Sequence, residues 1–232
     1  LKRKYLRQID TDAETFQVCT DTIVRHVGDI RRMVDEFSAF ARLPDPVIEP
    51  TDLIGVVEEA VTLQATAAPD ITFARAYPEP PATAHCDGRQ IGRAVTNLLS
   101  NAIDAIHGRT GDPAHLPAGH VRVRIARDGG QWMVELEDNG RGLPQGEKHR
   151  LTEPYVTTRD RGTGLGLAIV KKIMEEHGGD VALRDRPEGG AVARLVFAAA
   201  DEAGDGQDAP APRDALPRSA TSAAIEARAH GT

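Results

Sequence analysis

The stretch DRGTGLGLAIVKKI (160–173) sets three glycines and a threonine within five residues and then turns helical. A helix start exposes unpaired N–H groups and a partial positive charge, and glycine lets a ligand approach the backbone closely. Such a start favours an anion, and phosphate is the obvious one. The spacing is neither a GxxxxGK[ST] loop nor a GxGxxG fingerprint after a strand. It follows instead a long polar segment (143–161) containing KHRLTEPYVTTRDR. A segment of that kind, ending in backbone donors at a helix start, behaves as a lid over phosphates. Arg159 and Arg161 are placed to reach a phosphate tail, and Tyr155 to act as an apolar latch.

Two upstream stretches complement it. Asp87 is a plausible N-cap for a helix running to about His107, which carries NLLSNAIDA (97–105). At about 100° per residue, Asn97, Asn101 and Asp104 lie within about 60° of one another. Val95, Leu99, Ala102 and Ile106 point the other way. One face therefore packs on a sheet while the other offers amide and carboxylate oxygens, which suit a hard cation such as Mg²⁺. The plainer alternative is a pair of solvated asparagines on an amphipathic helix. DNGRGL (138–143) follows a strand expected at an edge of the sheet. Gly140 and Gly142 let the chain turn beneath a flat ligand. Asp138 can accept a hydrogen bond from an exocyclic amine, worth roughly 1.5–3 kcal/mol for a charged acceptor. Adenine offers that amine, whereas guanine presents an oxygen. An ordinary hairpin turn is the alternative here.

The surrounding chain has 232 residues, 40% hydrophobic and 27% charged, as an ordinary globular core requires. Net charge is −7 with dispersed lysines and arginines, which leaves no nucleic-acid footprint. Cys19 and Cys86 have no metal or CxxC spacing and read as plain thiols, and the eight histidines form no paired ligand pattern. No apolar run is long enough to span a bilayer. The opening LKRKYLRQID is not a signal peptide and reads as cut from something longer.

Residues 12–43 form one expected helix, with Phe16, Thr20, Ile23, Val27, Ile30, Val34, Phe37 and Ala41 alternating by four and three. That heptad seam, closed by Pro44 and Pro46, asks for partner helices and implies a bundle and a homodimer. Docking on its own domain is the alternative. From 47 to 197 the pattern becomes mixed: a helix at 53–63, strands at 71–77, 84–86, 121–126 and 132–137, a helix at 165–177, and a hairpin from 181–183 and 191–197. This order implies an α+β fold with helices layered on one face of a mixed sheet. From 199 onward the Ala/Asp/Pro/Gly composition predicts a disordered tail.

These motifs resemble the GHKL ATP-binding fold of sensor histidine kinases, gyrase, Hsp90 and MutL. NLLSNAIDA looks like the N box, DNGRG the G1 box, EPYVTTR the F-box region and GTGLGL the G2 box. DTIVRHVGDIRRMVDEFSAFARLP (21–44) is similar to the second dimerisation helix of nitrogen-regulation sensor kinases of the NtrY type. The resemblance implies a Bergerat two-layer sandwich preceded by a long helix of a dimeric four-helix bundle. It implies domains at 1–45 (a partial dimerisation hairpin), 46–198 (catalytic) and 199–232 (tail). Asn101 would be the Mg²⁺ ligand, with Asn97 and Asp104 beside it, and Asp138 would read adenine. Gly140, Gly142, Tyr155, Thr157, Thr158, Arg159, Gly162, Thr163, Gly164, Leu165 and Gly166 would complete the ATP site. The implied partners are a second copy and a cognate response regulator, with no nucleic acid and no membrane contact by this fragment. The implied location is the cytoplasmic portion of an inner-membrane-anchored bacterial kinase.

Hydrolytic members of that fold carry a glutamate four residues before the metal-binding asparagine, where this chain has Asn97. An amide is no general base, which favours transfer to a side chain over attack by water. The family's H box, His then an acidic residue and soon Asn-Pro, does not occur here, and His26 is followed by Val27 and Gly28. Residues 1–9 resemble the end of the first dimerisation helix, so the phosphoacceptor is expected upstream. The chain alone is then expected to bind ATP without autophosphorylating. A non-catalytic ATP-binding module and a GHKL ATPase remain the alternatives.

Overall fold

The computed structural model describes residues 12–41, 43–112, 115–144, 146, 150–157 and 163–198. The expected helix end at 1–9, the tail, and the candidate residues Thr158, Arg159, Arg161 and Gly162 lie outside the described residues.

Alternation builds the sheet. In β4 (Gly119–Asp128), Val121, Val123 and Ile125 are buried while Arg122 and Arg124 are exposed. The paired row in β5 (Gln131–Asp138) is Trp132, Val134 and Leu136, joined across a tight turn at Gly129, which has φ +58. Strand order is β2-β4-β5-β7-β6, completed by β2 (Ile71–Ala76), β6 (Asp180–Asp185) and β7 (Ala191–Ala198). Only β2 and β4 run parallel, so the sheet is mixed as expected. The strand ending at Asp138 is central rather than at an edge, because β7 pairs along its other side.

Helices cover one face. α2 (Leu53–Ala67) is capped by Asp52, whose carboxylate accepts from the Ile54 and Gly55 N–H groups, and it buries Leu53, Val57, Ala60 and Val61. α3 (Gly88–His107) is capped by Asp87 in the same way and buries Ile91, Val95, Leu99, Ala102 and Ile106. α4 (Gly166–Glu176) buries Ile169, Val170, Ile173 and Met174. It ends at the left-handed Gly178, whose neighbour Gly179 donates to Met174 O at 2.8 Å. The opposite sheet face is charged: Glu135 is buried beneath Arg194 at 2.7 Å and Arg184 at 3.3 Å.

Two expectations change. The 84–86 strand, β3 (Thr83–Cys86), is not in the main sheet; it pairs with β1 (Glu49–Asp52), which sequence alone does not announce. Trp132 Nε1 ties this small sheet to the large one by donating to Thr83 O at 2.8 Å. The helix expected at 53–63 continues to Ala67, since its outer face tolerates the polar Gln64 and Thr66.

The long helix is α1 (Ala13–Ala41). Its seam residues Ile23, Val27, Ile30, Val34 and Phe37 are 48–61% exposed. No helix among the described residues is long and apolar enough to cross a membrane.

Candidate functional site

The helix-facing row of β5 ends not in an apolar residue but in Asp138, 7% exposed and paired in register with Val121. Its Oδ1 accepts from Gly140 N–H at 2.8 Å and Ala191 N–H at 3.3 Å. Burial pushes this carboxyl above the ordinary aspartate value, and the two N–H groups and the Arg186 charge offset that only in part. Among the described residues no hydrogen bond falls on Oδ2. A buried carboxylate oxygen with spare capacity is a strong acceptor for a ligand N–H.

The turn after Asp138 is pressed onto the end of α3. A Cβ at Gly140 would lie 2.6 Å from the Ala105 carbonyl carbon, and Arg141 N–H donates to Ala105 O at 3.1 Å. Gly142 sits at φ +79, a conformation costly for any other residue. Sequence reasoning missed what braces this turn. Asn139 donates to Ala118 O and accepts from His120 N–H, both at 2.8 Å. Arg186 donates to Asp138 O at 3.0 Å. Gly190, at φ +94, lies so close that a Cβ there would meet Asp138 O at 2.0 Å. The Gly189-Gly190 pair was the available signal; its contact across strands was not.

On α3, Asn97 and Asn101 are half-buried and Asp104 is exposed, so the amides line the inner part of the stripe and the carboxylate its margin. Asn97 Nδ2 is buried and finds no hydrogen-bond partner among the described residues. Side-chain amide nitrogen and oxygen exchange places by a flip, so this buried group fits a ligand of either polarity. The donor set fits Mg²⁺: amide oxygens on one helix, with the remaining positions left to phosphate and water. No cluster of three or more His, Cys, Asp or Glu occurs among the described residues.

The glycine-rich stretch enters α4 through Leu165, which provides no side-chain cap. Leu165 N–H donates to Thr163 Oγ1 at 3.3 Å. Gly164 has φ +70, and a Cβ there would lie 2.6 Å from the Tyr155 carbonyl carbon. Tyr155, itself left-handed at φ 68, donates its N–H to Gly164 O at 3.1 Å. Space opens beside Gly166, next to the uncapped first turn. The Leu165 side chain is wholly buried in the core, so only its backbone is available to a ligand. The Tyr155 ring is 62% exposed, and its backbone N–H bond helps fix Gly164. Thr157 is exposed.

Residues 86–201 match the family described as histidine kinase-, DNA gyrase B- and HSP90-like ATPase. The chain is 49% identical over 200 residues to the nitrogen regulation protein NtrY of Azorhizobium caulinodans, covering 86% of this chain and 26% of that protein. Among solved structures, mycobacterial sensor histidine kinase MprB matches at TM-score 0.57 and 30% identity, covering 66% of this chain and 98% of that one. Full-length ShkA in complex with AMPPNP matches at TM-score 0.64 and 28% identity, covering 85% and 42%. The chain spans about a quarter to a third of the length of the curated relatives it matches. A strand-end carboxylate, an amide-bearing helix and a glycine-led helix start therefore belong together for a reason: the chain is a member of the histidine kinase-, gyrase B- and HSP90-like ATPase family, of the NtrY type of sensor histidine kinase.

Proposed function

We propose that this chain binds ATP·Mg²⁺ and donates the γ-phosphoryl group to a histidine outside it, from which a response regulator receives it. The observation that carries the reading is Asp138: a buried carboxylate whose Oδ1 is taken by backbone and whose Oδ2 has capacity for the adenine amine. Gly140 and Gly142 keep the turn flat beneath the base. Asn101 supplies an amide oxygen to the cation, Asn97 lies one turn earlier on the same face, and Asp104 borders them. The uncapped first turn of α4, with Thr163, Gly164 and Gly166, directs N–H groups at the phosphates, assisted by the helix dipole. Thr157, Thr158, Arg159 and Gly162 belong to the lid over them. Bound Mg²⁺ would neutralise phosphate charge; the chain's own part is to position and exclude water. Asn97 has no proton-accepting capacity for water activation, which supports transfer over hydrolysis.

The same reading divides the chain at 1–45, 46–198 and 199–232. It has α1 pair with a second copy through its exposed seam, and it places the fragment on the cytoplasmic side of a membrane-anchored kinase. The test is calorimetry with ATP·Mg²⁺, followed by labelled ATP and a separate H-box helix pair. Binding with label on the partner histidine is expected. Binding without label would support a nucleotide-sensing module instead, and steady phosphate release by the chain alone a GHKL ATPase.

A further inference from the structure

Between α1 and the sandwich runs the short segment 43–48, with Pro44 and Pro46 fixing φ at two positions. Such a connector transmits a displacement only if both ends are held. One end continues from α1. The other is gripped by two almost fully buried polar side chains, Asp87 at 3% and Gln90 at 5% exposure. Gln90 Nε2 donates to Pro44 O at 2.8 Å, and Val47 N–H donates to Asp87 Oδ2 at 3.1 Å.

The same knot reaches α4. Asp87 N–H donates to His177 Nε2 at 3.0 Å, so the ring proton sits on Nδ1, which donates to Ile173 O at 2.7 Å. The connector, the start of α3 and the end of α4 therefore meet at one corner. These are the two helices whose other parts carry Asn97 and Asn101, and Gly164 and Gly166. At about 100° per residue, Asn97 and Asn101 fall within about 20° of Gln90 on the helix circumference. The three amides form one stripe about 16 Å long on a single rigid rod.

Stability alone does not account for Gln90. Its Oε1 is buried and accepts nothing among the described residues. An apolar side chain of equal size would avoid that uncompensated carbonyl, so what the glutamine adds is its hold on Pro44.

We propose that Gln90 and Asp87 are positioning residues that fasten the connector to α3. Movement of α1 then reaches the Asn97–Asn101 stripe as a rigid-body shift of that helix instead of dissipating in the connector. This rests on the ATP reading above for its purpose, but the clamp is defined by its own hydrogen bonds to Pro44 and Val47.

Gln90→Met tests it, since it keeps length and helix propensity while removing both polar atoms. In this chain, amide exchange at Val47 should accelerate tenfold or more while β4 and β5 keep their protection. Affinity for ATP·Mg²⁺ should stay within twofold. In the intact kinase dimer, phosphoryl transfer at saturating ATP should fall at least fivefold with KM for ATP unchanged. Unaltered exchange at Val47, or an unaltered transfer rate once the connector is loosened, overturns the proposal. So does a loss of transfer matched by an equal loss of ATP affinity, which marks a structural role. An unsubstituted chain that binds no ATP refutes the nucleotide reading and, with it, the clamp's purpose; the exchange experiment still decides whether the clamp exists.

Discussion

The sandwich and α1 use apolar residues in opposite ways. In the sandwich, Val57, Leu99, Val134 and Leu195 are all at 0% exposure, enclosed between sheet and helices. On α1, Ile23, Val27, Ile30 and Val34 stand 56–61% exposed, although their heptad spacing is at least as regular. Periodicity reports which face of an element is apolar, not what covers it. The sandwich finishes its own core; the apolar face of α1 stands exposed.

The sharpest way to break this contrast is to charge the seam. Val27→Asp should weaken self-association at least a hundredfold, since a buried valine contributes roughly 1.5–3 kcal/mol per chain. Melting of the sandwich should not move. Sedimentation together with calorimetry checks both, and an unchanged mass with Val27→Asp would refute the seam. The reciprocal change belongs inside the sandwich. Leu99→Ala should cost about 2–5 kcal/mol of stability through the cavity it leaves, with association retained. Denaturant titration reads the first effect and sedimentation the second.

If the sandwich is self-sufficient, its ligand site should also respond on its own. Asp138→Asn should reduce ATP affinity by roughly 1.5–3 kcal/mol, the worth of a charged acceptor, with the fold intact. Asn101→Asp should weaken binding as well, by altering the cation's ligand. Isothermal titration with unchanged circular dichroism is the check.

The smallest effect is in pH. Burial holds the Asp138 carboxyl above its ordinary 3.8, and on the ATP reading the ionised form is the stronger acceptor for the adenine amine. Affinity is therefore present above that raised value and lost as pH falls through it. Burial pushes Asp87 and Glu135 up too. Hydrogen bonds from Val47, Gln90 and Arg89 outweigh it at Asp87, and Arg194 and Arg184 outweigh it at Glu135, so both end below their ordinary values. Their stabilising contribution persists above the unfolded-state value and disappears only at still lower pH. ATP affinity should thus decline in mild acid before the fold melts, which affinity and melting measured in parallel would resolve.

Much of this was legible in the sequence because local rules sufficed. Asp87 caps α3 as its position predicts, and the alternation of Trp132, Val134 and Leu136 carries Asp138 onto the helix-facing side. Asn97 and Asn101 follow from helical spacing alone. What was missed depends on distant pairing. β1, with sequence EPTD, has no apolar alternation and exists through its ladder with Thr83–Cys86, reinforced by Thr51 Oγ1 donating to Cys86 O at 2.9 Å. Likewise, naming Leu165 among the site residues of GTGLGL did not reveal that its side chain is drawn into the core.

The closeness of Gly190 to Asp138 O makes the hairpin between β6 and β7 a clasp on the end of β5 that carries Asp138. Any side chain at Gly190 would have to shoulder the end of β5 aside, dragging the carboxylate out of alignment. Substitutions at Gly190 should therefore mimic loss of Asp138 itself.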